Sequence, residues 1–350
     1  MLKLNKQFVS DIHAVTDVKQ LWSYLQNAVE LEHATLPVYL TGLFSIKQAE
    51  NTTASDIIRS VIVEEMLHMS IACNVLNAIG GAPDINKPGF VPTFPGPLPM
   101  GVGEDRGLIA TLAPLSKDQL KNVYMAIEEP EDPIDFPVKT TLEVEADEEY
   151  STIGEFYAAI IAKIKELGPT IFTGDPKKQL ASGRWFRETE LWAVTDVDSA
   201  CRALELIVAQ GEGSSKSPID PEGELAHYYK FAEIFHGKRL VPDTTTPEGW
   251  SFSGDPIELD PEGIYNLKQN AKASDYPSGS AARRYADQTN YTYSSLLNVL
   301  HQTFNGAPDK IDQAMGVMYE LRLSVQKMVT IDVGNGERAA PPFEYVATNI

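Results

Sequence analysis

At 350 residues, 43% of them hydrophobic and 22% charged, the chain can bury a sizeable core, as one large domain or two smaller ones. Its formal net charge of -20 argues against electrostatic binding to nucleic acid or to an anionic membrane. No segment reaches the roughly 18 apolar residues of a membrane span, and the opening residues MLKLNKQFVS lack the apolar core of a secretory signal, so a cytoplasmic location is expected.

From about residue 17 to 49 the pattern is helical. Leu25, Ala28, Val29, Glu32, Leu36, Tyr39, Leu40 and Leu43 recur at steps of three, four and seven, which is one helix face. Pro37 interrupts that helix and removes an N–H that would bond the carbonyl of His33, so a kink is expected near Glu32. A second helix is expected from about Ser55 to Ile79, ended by Gly80 and Gly81. Residues 81 to 115 are rich in proline and glycine with interspersed apolar residues, and read as an ordered loop laid over the molecule. A short helix around 116 to 129 follows, then an acidic, extended stretch, TTLEVEADEEY.

The next helix runs from Thr152 to about 167, and another from Asp196 to Gln210, ended by GEGSS. Asp220 and Pro221 read as the start of a further helix, with Asp as N-cap and Pro in the first turn, ending at Gly237. Residues 238 to 280 read as loop, and two helices at about 281–304 and 307–330 precede an irregular tail. Cys73 and Cys201 lie far apart without metal-binding spacing and read as buried small hydrophobes. The layout is nearly all α, with long loops decorating a bundle.

The stretch VEEMLHM, residues 63 to 69, carries two glutamates and a histidine in an otherwise apolar helix. It has a counterpart in GELAHYYKF, residues 223 to 231: Glu65/His68 and Glu224/His227 are both Glu-x-x-His pairs. At about 100° per residue, three steps return a side chain to nearly the same helix face, so each pair can bind one ion. Glu64 stands four residues before His68 and could share its face, but the second pair offers only the three-residue spacing, which selects Glu65. Two such helices, with one inward glutamate from each of two others, make a di-iron or di-manganese carboxylate site. Glu32 sits in the apolar stripe of the first helix, where a buried carboxylate needs compensation. On the third helix Glu155 is flanked by small residues. Yet Thr152 and Glu155 also form a capping-box pattern, and Glu128, Glu129 and Glu166 are the alternatives. His13, His236 and His301 read as structural, His33, turned about 100° from Glu32, as structural or as a support behind the ligands, and Tyr157, Tyr228 and Phe231 are expected near the site, chiefly as packing.

The stretches VELEHATLPVYLTGLFSI, VEEMLHM, STIGEFYAAI, AVTDVDSACRALELIVAQGEG and EGELAHYYKFAEI resemble the ferritin-like proteins of the iminophenyl-pyruvate dimer synthase family. These are related to a region of the large enzymes that couple two oxidised tryptophan units in violacein and rebeccamycin biosynthesis. The similarity spans roughly residues 17 to 237. It implies an all-α, ferritin-like four-helix bundle over residues 1–240, with residues 241–350 forming a loop and a helical hairpin packed on the bundle. It further implies a metal site of Glu32, Glu65, His68, Glu155, Glu224 and His227 holding two iron ions, or manganese, or one of each.

The expected function is a dimetal oxidoreductase that activates O2 and oxidises or couples a small organic substrate, an amino-acid-derived molecule among the candidates, with an electron donor as a further partner. Catalysis would lie in the metal centre itself, with Tyr157 and Tyr228 beside it. The loop at 82–103 and the C-terminal helices are candidate walls or lids. The alternatives are a ferroxidase or iron-handling protein, and a metal-stabilised protein without catalysis; oligomeric state is left open.

Overall fold

The computed structural model describes residues 3–130, 134, 150–181, 183–212, 217–220 and 223–347. Among these residues the chain is mostly helical, and its strands are short pairs. Strand β1 (Lys3–Asn5) leads into α1 (Lys6–His13), and β1 pairs antiparallel with β2 (Tyr150–Thr152), Lys3 opposite Thr152. The long helices α2 (Val18–Ser45) and α3 (Thr52–Ala78) pack along each other. A helical run at 117–127, α4, contains a π-helical turn at Leu120–Tyr124. Helices α5 (Ile153–Leu167) and α6 (Val197–Glu212) pack together and close the bundle, α5 against α2 and α6 against α3. The short α7 (His227–His236) wedges between α4, α3 and α6. Strands β3 (Val241–Pro242) and β4 (Trp250–Ser251) form a small pair, and α8 (Ala281–Phe304) and α9 (Ile311–Met328) form the C-terminal hairpin. A last pair, β5 (Asp332–Gly334) and β6 (Glu337–Arg338), follows it. One continuous hydrophobic core runs from Leu4 to Phe343 and takes in both the bundle and the hairpin.

Local chemistry sets these boundaries. Asp17 caps α2 by accepting from the Lys19 N–H at 2.8 Å, while the Gln20 side chain accepts from the Asp17 N–H at 3.2 Å. Helix α2 continues through Pro37, and the Thr41 hydroxyl donates to the Pro37 carbonyl at 2.7 Å. Gly80, with φ +81, turns the chain after α3, where the glycine pair predicted a stop. The loop expected over the molecule is an ordered covering: Phe90, Phe94, Leu98 and Val102 are all buried. Both cysteines are buried and free.

Two expectations change. The helix expected from Asp220 starts instead at His227, with Ala226 as N-cap. The Asp220 carboxylate does cap a backbone N–H, but that of Glu224 at 2.9 Å, and Ile219 bridges back to Leu225. The carboxylate thus closes a tight turn rather than opening a helix; Pro221 lies outside the described residues. Most of the acidic stretch at 140–149 also lies outside them, and its end, Tyr150–Thr152, is the strand β2.

The π turn in α4 is seated on α2 through one glycine. The Tyr124 hydroxyl donates to the Val38 carbonyl at 3.0 Å, and a Cβ on Gly42 would lie 2.0 Å from that hydroxyl oxygen. In an open helix, Gly→Ala gains about 1 kcal/mol. Here the methyl would have to displace a fully buried tyrosine, and overpacking of this kind costs about 1–3 kcal/mol. Gly42→Ala is therefore expected to lower the thermal midpoint; a raised midpoint would show that α4 does not sit on α2 as described.

Candidate metal centre

Four of the residues singled out from sequence come together. Glu32 projects from α2, Glu65 and His68 from one face of α3, and His227 from the first turn of α7; all four are buried. His68 Nδ1 lies 3.6 Å from Glu32 Oε2 and 3.7 Å from Glu65 Oε1. His227 Nδ1 lies 2.9 Å from the same Glu65 Oε1 and 3.4 Å from Glu128 Oε2. The imidazole rings stack with centroids 5.3 Å apart, and ligand atoms of Glu65, His68 and His227 all fall within 4.8 Å of one another. Glu65 therefore stands at the centre, with Glu32 and His68 on one side and Glu128 and His227 on the other.

Glu155 and Glu224 stand elsewhere. Glu155 is exposed and forms the capping box of α5: its carboxylate accepts from the Thr152 N–H at 2.9 Å, and its own N–H donates to the Thr152 hydroxyl at 2.8 Å. Glu224 is also exposed, on the non-helical segment before α7. The three-residue spacing that would align it with His227 requires a helix that has not yet begun. The position opposite Glu32 is filled by Glu128, directly after α4, one of the alternatives named for Glu155. Glu129 instead pairs with Arg106, and Glu166 with Lys163.

Each of the five clustered side chains is also held at its far end. The Tyr157 hydroxyl donates to Glu32 Oε1, and the Tyr39 hydroxyl to Glu128 Oε1. The Thr35 hydroxyl sits 2.9 Å from Glu65 Oε2. His68 Nε2 is 2.9 Å from Gln210 Oε1, and His227 Nε2 is 2.8 Å from Glu64 Oε2. Gln210 Oε1 and an ionised carboxylate are acceptors only, so each Nε2 carries a proton and Nδ1 is the ring nitrogen left to face the cluster. The five remaining atoms, one from each residue, point at one another.

The electrostatics of this cluster are unbalanced. Among the described residues no lysine or arginine pairs with Glu32, Glu65 or Glu128; the nearby Lys230 is committed to Glu64, at 2.6 Å. Burial and the neighbouring Glu128 charge raise the Glu65 carboxyl to about 7, against the lowering pull of His227. Burial also opposes ionisation of Glu64, yet His227 and Lys230 outweigh it and hold that carboxyl at about 2. Burial likewise disfavours charge on both imidazoles, and the carboxylates overcome it, so His68 and His227 lie above the ordinary value. His227 Nδ1 is nonetheless without a hydrogen-bond partner: it is close to Glu65 but not aligned with it. An orphaned buried nitrogen, three inward carboxylates and oxygen-rich donors fit a hard or borderline divalent metal such as iron or manganese.

Beside the cluster is a void of about 60 Å³, lined by Glu32, Glu65, His68, Glu128, Tyr157 and the loop residue Leu98 among others. At roughly 10–15 Å³ per water, it holds a few waters or a diatomic gas. On the Glu128 side, Tyr39 packs edge-to-face against Tyr124 and Phe231, which are tilted against each other, with centroids 4.8–5.1 Å apart and all three side chains buried. Tyr228 is half-buried and stacks edge-on against Tyr229. The other histidines lie apart: His33 bonds Tyr293, His236 stacks on Phe252, and His301 neighbours Asn305.

Sequence reasoning did not reach the holders Tyr39, Thr35 and Gln210, or the part played by Glu64, since all act between elements distant in the chain. Because the Tyr39 hydroxyl satisfies a buried carboxylate oxygen, Tyr39→Phe is expected to destabilise the protein by about 1–3 kcal/mol in denaturant unfolding. Tyr319→Phe, at a side chain 59% exposed, is expected to stay within about 0.5 kcal/mol of the parent. Equal effects from the two would contradict the assignment of Tyr39.

No curated protein matches the chain. A crystal structure of a ferritin-like protein from Caulobacter vibrioides superposes with a TM-score of 0.62 at 23% identity, covering 95% of this chain and 99% of that one, a likeness of fold. The family model described as Ferritin-like matches residues 25–236, which take in most of α2, all of α3 to α7 and every residue of the cluster. The chain belongs to the ferritin-like family.

Proposed function

We propose that this protein is a dimetal oxidoreductase that uses O2, with Glu32, Glu65, His68, Glu128 and His227 as the residues that hold two iron ions. The observation that carries this reading is the pairing of five inward donor atoms with five fixed outward atoms. Such an arrangement orients ligands before any ion arrives, and it sets both imidazoles in the tautomer that a metal requires. Glu65 is the carboxylate common to both halves of the cluster. Iron ions, when bound, would supply the electrons and the Lewis acidity for reaction with O2. The ferritin-like superfamily includes di-iron proteins, which supports iron over the manganese and mixed alternatives.

The protein's own residues would do the rest. Tyr157 and Tyr39 hold the outer oxygens of Glu32 and Glu128, so each carboxylate can rotate about a fixed contact. Glu64 and Lys230 retain the proton on His227 Nε2. The aromatic wall excludes bulk water, and the small void admits O2. The resemblance to the iminophenyl-pyruvate dimer synthases would make an amino-acid-derived imine one substrate to test. The size of the void favours a second reading: at about 60 Å³ it suits O2 and water better than an organic molecule, as in a ferroxidase whose substrate is the iron itself.

Ferrous titration of the apoprotein under nitrogen, followed by O2 uptake, tests the reading. The parent is expected to bind two ions per chain and to consume O2. Glu128→Gln is expected to lose at least one ion, whereas Glu155→Gln and Glu224→Gln retain both. Uptake that stops once the iron is oxidised would favour the ferroxidase; sustained uptake with an added reductant and organic substrate would favour the oxidoreductase. Binding that depends on Glu155 and Glu224 but not on Glu128 would overturn the ligand set.

A further inference from the structure

The two imidazoles of the cluster differ in what stands behind them. His227 and Lys230 are three residues apart in α7 and share one of its faces. Both meet Glu64, the glutamate of α3 that directly precedes Glu65. His227 Nε2 lies 2.8 Å from Glu64 Oε2, and Lys230 Nζ lies 2.7 Å from Oε1 and 2.6 Å from Oε2. Lys230 is buried and the Glu64 side chain is 22% exposed, so the ion pair is largely shielded from water. His68 Nε2 meets instead the uncharged amide of Gln210, at 2.9 Å, in the last turn of α6.

That difference has a chemical consequence. An imidazole N–H that donates to a carboxylate shifts electron density to the other ring nitrogen and makes it a stronger metal ligand, and a neutral amide oxygen does so less. Nδ1 of His227 is therefore the stronger donor and Nδ1 of His68 the weaker. The small void is unequally placed as well. Its walls include Glu32, His68 and Tyr157, the holder of Glu32, whereas of Glu128, His227 and Tyr39 they include only Glu128. Tyr39, the holder of Glu128, packs instead against Tyr124 and Phe231. The half with the weaker imidazole is thus also the half that faces open space.

We infer, on the two-ion reading proposed above, that the halves of the cluster are inequivalent. Glu64 is a positioning residue that makes the half of Glu128 and His227 the tight metal position, filled first and retained. The half of Glu32 and His68 holds its ion more weakly and exchanges it through the void. Lys230 keeps the Glu64 carboxylate charged and in place, and the charge acts through the His227 ring without touching the metal. In a ferroxidase, the iron that turns over is then the one beside Glu32 and His68.

Stepwise ferrous titration of the full-chain apoprotein under nitrogen tests this, together with anomalous diffraction at the iron edge from crystals grown with one equivalent of iron. The parent is expected to bind two ions in separate steps, with the first ion beside Glu128 and His227. Glu64→Gln keeps an oxygen for His227 and removes the charge, so the tight step is expected to weaken about 10–100-fold while the weak step stays unchanged. Because that variant strands the Lys230 ammonium, Glu64→Gln combined with Lys230→Met is made alongside and is expected to show the same selective loss. Gln210→Glu is expected to tighten the weak step, a change that general damage to the fold does not produce. Glu64→Gln combined with Gln210→Glu is expected to move the first ion to Glu32 and His68. Two ions of equal affinity in the parent, a first ion beside Glu32 and His68, or equal weakening of both steps in the Glu64 variants would overturn the inequivalence and leave the two-ion reading standing. Fewer than two ions in the parent would overturn the two-ion reading itself, and the inequivalence with it.

Discussion

The structure depends on one constraint: the buried carboxylates of Glu32 and Glu65 and the partly buried one of Glu128 face one another, and among the described residues no lysine or arginine pairs with them. An unpaired charge inside a protein costs several kcal/mol, and mutual repulsion adds to it. The fold responds by assigning a hydrogen-bond partner to the outer end of every member of the cluster, a hydroxyl donor for each carboxylate and an oxygen acceptor for each imidazole N–H. Tyr157 comes from α5, Gln210 from α6, Tyr39 and Thr35 from α2, and Glu64 from α3. What remains unsatisfied is inward, and it includes a histidine nitrogen with no partner. A cation at the centre would resolve all of these demands together.

This division of labour explains why the bundle has the form it does. The helices α2 and α3 supply the core ligands, while α5 and α6, which close the bundle, supply holders rather than ligands. The remaining carboxylate and imidazole arrive on short elements, the end of α4 and the start of α7, which pack against each other, α7 also packing against α3. The π turn in α4 adds a residue to one turn just before Glu128, and such turns recur at functional sites. Its tyrosine, Tyr124, is locked to α2 at Gly42, so the element carrying Glu128 is fixed relative to the helix carrying Glu32.

The helical architecture was legible because its signal is periodic and repeated: the stripe through Glu32, the glycines after α3, and the hairpin split at Asn305–Pro308 all have local causes. Four members of the cluster were legible for the same reason, since each stands on an apolar helix where a charged group is out of character. Glu155 was ambiguous in sequence, and the capping-box pattern it shared with Thr152 is the arrangement the structure contains. Glu224 misled because a three-residue spacing aligns side chains only inside a helix, and Asp220 closes a turn there instead. Glu128 carried almost no signal: it follows a short helix and owes its place to a packing contact with α2. The partners Tyr39, Thr35 and Gln210 were illegible in principle, because each hydrogen bond joins residues far apart in the chain.

The central claim is that the five inward atoms are metal ligands and not partners of one another. Anomalous diffraction at the iron and manganese edges, from crystals of the full chain purified without added metal and then soaked with ferrous iron, addresses it directly. The account predicts two peaks, one beside Glu32 and His68, the other beside Glu128 and His227, with Glu65 between them. A cluster that stays free of metal after soaking, with His227 Nδ1 hydrogen-bonded to Glu65 or Glu128, would contradict it.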